Sequence, residues 1–148
     1  GTLRGAAKAV EATGPLVRAM FPRQIYAAGG WYGDSFRASA ERFDPATEQW
    51  TRLPAMAEGR SDATCGVLDG CFFVCGGVVH ASGRCSDIAE RFDVAANAWE
   101  RLPAMSTARA SAPAVALGRH LYICGGHKDL SQRLMAVERF DPALCSWE

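Results

Sequence analysis

Lysine is almost missing from this chain of 148 residues: Lys8 and Lys128 are the only two, and the rest of its sixteen basic residues are arginines. Sixteen acidic residues cancel them, so no excess of one sign draws the chain to nucleic acid or to an anionic membrane. Asparagine occurs once, as Asn97, without the Ser or Thr two places on that N-glycosylation requires. Long hydrophobic runs are missing too. The longest, residues 71–79, is interrupted by Gly76-Gly77 and is far too short to cross a bilayer, and no segment has the pattern of a signal peptide. The six cysteines need not form a disulfide framework, which is a requirement mainly of smaller secreted chains. Together these features predict reduced thiols and a cytoplasmic location.

What the chain has is apolar material and repetition. Hydrophobic residues make up 49% and charged residues 22%, a composition that suits a globular domain with a real core. Three apolar runs end in a glycine pair: IYAAGG at Gly29-Gly30, FFVCGG at Gly76-Gly77 and LYICGG at Gly125-Gly126. Glu-Arg-Phe-Asp occurs at 41–44, 90–93 and 138–141, and Trp50, Trp99 and Trp147 follow at the same spacing. Leu-Pro-Ala-Met stands at 53–56 and again at 102–105. Markers that share one period of 47 to 49 residues identify a repeat architecture.

The unit of the repeat is all-β. CFFVC at 71–75 is apolar on both faces of a strand, as a strand sandwiched between two layers must be. Asp69-Gly70 reads as a two-residue hairpin turn, and Asp44-Pro45 and Asp141-Pro142 open turns before a strand that starts near the Trp. Each repeat therefore holds about four antiparallel strands, the content of one propeller blade.

The order of Arg, apolar strand, tight turn, apolar strand ending in Gly-Gly, Glu-Arg-aromatic-Asp and Trp resembles the kelch repeat. It is most similar to the repeats of the kelch-like (BTB-kelch) substrate adaptors. One departure is uniform: Phe43, Phe92 and Phe140 stand where that family usually has Tyr. The expected fold is a kelch-type β-propeller of three four-stranded antiparallel blades, half of the six that the resemblance implies for a closed ring. Residues 1–12 read as a linker or upstream remnant, 13–56 as blade 1 with an irregular first strand, 57–105 as blade 2, and 106–148 as blade 3 with a truncated outer strand. The chain then reads as a fragment, or as one of two half-rings that pair as a homodimer.

Candidate binding residues lie where the matched repeats differ, because loops on a rigid scaffold carry function. The stretches after the glycine pairs, 31–40, 78–87 and 127–135, vary while their flanks do not. The resemblance places these loops on the partner-gripping face, with Trp31, Tyr32, Arg37, His80, Arg84, His127, Lys128 and Arg133. It also implies that Arg60 and Arg109, each sixteen positions before a glycine pair, point towards a central pocket and pair with acidic side chains of a bound peptide. The alternative is that both cap loop carbonyls between blades.

The resemblance implies a protein-binding module, plausible as the substrate-capturing part of a cullin-type ubiquitin ligase. Actin or cytoskeletal scaffolding is one alternative, and a kelch-fold enzyme such as a copper oxidase or sugar-acid epimerase is another. His80 and His127 occupy corresponding loops near Cys85 and Asp129, but no spacing matches a zinc motif. Neither a nucleophile motif nor a phosphate-cradling loop is present, so no catalytic residue, metal or cofactor is expected.

Overall fold

A computed structural model describes residues 10–11, 24–79, 84–129 and 131–148. The described chain is all-β, with three four-stranded antiparallel sheets that follow one another along the sequence. Blade 1 comprises β1 (Val10–Glu11), β2 (Ile25–Ala28), β5 (Ala40–Asp44) and β6 (Gln49–Leu53), with a small hairpin, β3 (Trp31–Tyr32) and β4 (Ser35–Phe36), between β2 and β5. In blade 2, β8 (Thr64–Leu68), β9 (Cys71–Cys75), β11 (Ala89–Asp93) and β12 (Ala98–Arg101) pair in order, and β7 (Arg60–Ser61) pairs with β10 (Val78–Val79) at its rim. Blade 3 repeats the plan with β13 (Ala114–Leu117), β14 (His120–Cys124), β15 (Val137–Asp141) and β16 (Ser146–Trp147). Among the described residues no helix is long and apolar enough to cross a membrane.

Alternation along the strands explains how blades stack. Successive side chains point to opposite faces, so a strand apolar throughout serves two neighbours at once. Phe72 and Val74 of β9 pack with Tyr26 and Ala28 of blade 1, and the rings of Tyr26 and Phe72 stack with centroids 5.0 Å apart. Phe73 and Cys75, one residue out of phase, pack with Leu121, Ile123 and Phe140 of blade 3. The innermost strand β8 touches both β1 and β13. Burial pushes the Cys75 thiol far above its ordinary range, which leaves it a small apolar side chain in a core.

The turns follow the residues predicted to make them. Asp69 and Gly70 both adopt positive φ, the geometry of a tight β-hairpin. In the longer hairpins, a carboxylate oxygen of Asp44, Asp93 and Asp141 accepts the N–H of Ala46, Ala95 and Ala143, each at 2.8 Å. Across those hairpins the Phe of Glu-Arg-Phe-Asp lies opposite the Trp three times, with ring centroids 5.1 to 5.4 Å apart.

The start of blade 1 differs from expectation. Val10–Glu11, expected in a linker, instead form β1, with Val10 opposite Tyr26 and Glu11 opposite Ile25. Counting back from blades 2 and 3 assumes their tight turns, whereas residues 12–24 separate β1 from β2, so the count lands too late in the chain. Residues 14–21, expected to carry the irregular strand, lie outside the described residues.

Candidate functional site

Two sets of side chains meet at the rim where β2, β9 and β14 end: the recurring arginines before blades 2 and 3 and the unrepeated loops after each glycine pair. The arginines turn inwards. Arg60 Nη2 donates to Glu90 at 3.0 Å, and its Nη1 donates to the carbonyls of Gly76 and Ile88 at 3.1 and 3.3 Å. Arg109 does the same one repeat later, pairing with Glu138 and donating to Gly125 and Ala136 at 2.9 and 3.2 Å. The second carboxylate oxygen of each Glu accepts a backbone N–H from the preceding linker, Ala57 at 3.2 Å and Ser106 at 2.6 Å. Each unit ties the entrance of a blade to the ends of its second and third strands.

Both guanidinium groups are completely buried. The expectation that Arg60 and Arg109 present charge to an acidic peptide is therefore corrected. Each guanidinium engages both Nη groups within its own blade, while its Nε is buried without a partner among the described residues, and an added neighbour could only bury the pair further. The Glu of Glu-Arg-Phe-Asp recurs in step with the Arg, a hint of pairing that only the strand register turns into a contact.

The glycine pairs explain why the rim can be this tight. Gly29 and Gly76 have positive φ, and a Cβ on either would run into the carbonyl oxygen of Arg60 or Arg109 in the next blade. The following N–H groups, of Gly30 and Gly77, donate to those same carbonyls at 2.8 and 2.9 Å. From there the chain leaves the blade and forms the loops.

The first loop is the β3–β4 hairpin, which turns at Gly33 and Asp34. Trp31 and Tyr32 are 58% and 64% exposed, and the Arg37 guanidinium lies over the Tyr32 ring at 5.3 Å. In the second loop Val78 bridges Cys85, and Arg84 is exposed. His80 lies outside the described residues. In the third loop His127 bridges Ala110 and Arg133, with its Nδ1 buried and without a partner among the described residues. Lys128 and Arg133 are exposed, as is Met135, which the sequence reading did not single out.

The loops are not uniformly basic. Asp129 accepts the Ser131 hydroxyl and two backbone N–H groups at 2.8 Å, and these bonds, the hydroxyl foremost, hold its carboxyl below the usual range. Burial first, then the negative charges of Asp129 and Asp62, push the Cys85 thiol up. Cys85 therefore disfavours the thiolate that a metal would require. Among the described residues no group of three or more His, Cys, Asp or Glu side chains could hold a metal ion.

Comparison with known proteins completes the site. The Kelch motif matches residues 19–57, 59–106 and 108–148. No curated protein matches the chain. Among solved structures, that of YjhT superimposes with a TM-score of 0.74 at 16% identity, covering 99% of this chain and 52% of that one. At that identity the likeness is one of fold, and the chain spans about half the length of the structure it matches.

Proposed function

Because the chain belongs to the kelch-repeat family, with motifs over most of its length, we propose that it is a protein-recognition module that grips its partner with the loops after the glycine pairs. Kelch repeats build β-propellers, which commonly act as protein-interaction scaffolds. The observation that carries this reading is a division of labour. Arg60 and Arg109 pair with Glu90 and Glu138 inside blades 2 and 3, whereas Trp31 and Tyr32, which have no aromatic pair as counterpart in the other loops, stand in solvent. Exposed aromatics contribute large contact area at little entropic cost and dominate binding hot spots. Arg37, Arg84, Lys128 and Arg133 give the same face cationic contacts, and Asp62, Asp87 and Asp129 balance them. The role is binding without catalysis.

Within that role we assign substrate capture for a cullin-type ubiquitin ligase, on the strength of the repeats' resemblance to kelch-like adaptors. The test has two arms. A partner cross-linked to the wild-type chain should bind the Trp31→Ala/Tyr32→Ala variant at least roughly tenfold more weakly, with an unchanged thermal melt. Equal binding would overturn the loop-face assignment. The partner's lifetime in cells should lengthen when this protein is depleted; an unchanged lifetime would remove the adaptor role. Co-sedimentation with filaments would point to actin instead.

A further inference from the structure

The two flanks of blade 2 show what a covered blade looks like, and the outer flank of blade 3 repeats that surface uncovered. Registers align the positions one by one. Leu68 of β8 corresponds to Leu117 of β13, Phe73 to Tyr122, Cys75 to Cys124 and Ala89 to Val137. In blade 2 these residues form one core with Leu121, Ile123 and Phe140 of the next blade. Leu68 and Ala89 are 6% and 0% exposed there, whereas Leu117 and Val137 are 66% and 55% exposed. Val115 adds a further exposed apolar side chain on the same flank.

The opposite end of the arc carries the complementary surface. Leu121, Phe140 and Trp147, which cover blade 2, correspond to Ile25, Phe43 and Trp50 of blade 1. Ile25 and Phe43 are only half-buried and Trp50 is exposed. The backbone shows the same vacancy of partners. Gly30 and Gly77 each donate to a carbonyl of the following blade, while Gly126, at the equivalent place in blade 3, has no such acceptor among the described residues.

We propose that the outer flank of blade 3 docks the first flank of blade 1 in a second copy of this chain, and reciprocally, so that two arcs close one ring. The joint is heterologous, but the two joints are identical, which gives the pair twofold symmetry. An arc that superimposes along nearly its whole length on about half of a longer propeller chain has the curvature such closure needs. Closure also completes the candidate site, because the loops of blade 3 then adjoin those of the other copy's blade 1, Trp31 and Tyr32 included.

Light scattering on the 148-residue chain should give twice the 15.9 kDa of one copy. Leu117→Asp and Trp50→Asp, both at exposed positions, should each return the mass to that of one copy. Each should weaken pairing at least roughly tenfold while leaving a cooperative melt. A monomer at every concentration overturns the proposal and leaves the flank to blades supplied elsewhere. A dimer that responds to Leu117→Asp but not to Trp50→Asp overturns it as well, because its copies would meet blade 3 to blade 3. Open-ended assemblies overturn closure.

Discussion

Blades 1 and 2 carry the same strands in the same order, yet they are held differently. In blade 2, Glu90 accepts from a buried Arg60 and from the Ala57 N–H, and the Trp99 indole N–H reaches back to the Pro54 carbonyl at 2.7 Å. In blade 1, the ion-pair partner of the matching Glu41 among the described residues is Arg52 at 3.9 Å, an arginine almost fully in solvent, and Trp50 is exposed. Among the described residues, burial of the recurring polar groups is what sets blade 2 apart from blade 1. A buried ion pair need not exceed an apolar substitute in stability, but losing one member of it leaves an unpaired buried charge.

That contrast is sharpest in the carboxylates. Glu90→Ala should cost about 3–5 kcal/mol by stranding Arg60, while Glu41→Ala should change stability by about 0.5 kcal/mol or less, as a screened surface pair would. Chemical denaturation of the two variants side by side checks this, and equal losses would erase the distinction between the blades. The tryptophans come next. Trp99→Ala removes a ring that contacts Phe72 and Phe92 and a hydrogen bond to the preceding linker, so about 2–4 kcal/mol is expected from a half-buried aromatic. Trp50→Ala should cost about 1 kcal/mol at most. Thiol labelling is a milder probe: Cys145, exposed in a turn, should react well before Cys75, whose thiol is raised by burial. The smallest effect is in acid. The Ala143 N–H above all, with the Leu144 N–H and His120, holds the Asp141 carboxyl below its usual range. Its contribution to stability is thus present at neutral pH and is lost as pH falls through the depressed folded value. Asp141→Asn should flatten the acid limb of the stability profile, and an unaltered limb would show that the turn carboxylate has no part in it.

The sequence made the blades legible because its markers report local needs. Gly76 must lack a side chain beside the next blade's carbonyl, Asp69-Gly70 must turn, and CFFVC must face two cores. Each need leaves a residue type at a fixed spacing. The resemblance named the right residues in Arg60 and Arg109 but gave them the wrong surroundings. An arginine at a strand entrance looks the same in sequence whether it faces a ligand or a carboxylate thirty residues on. Pairing with Glu90 and Glu138 depends on the register of β9 against β11 and of β14 against β15, which only the folded chain displays. Edge strand β1 was misplaced because the long connection after it broke the periodic count. The exposed loops were found by their irregularity, yet Met135 was passed over within one of them, since nothing in a loop's sequence tells which apolar side chain stays in water.

The recurring charges hold the blades together, and we propose that recognition falls to the loops between them; the denaturation midpoint of Arg109→Ala tests the first half of that division most directly. Removing the guanidinium should leave Glu138 buried without its charge partner, and stability should fall by about 3–5 kcal/mol. A variant as stable as the wild type would contradict the account and return Arg109 to a partner-facing pocket.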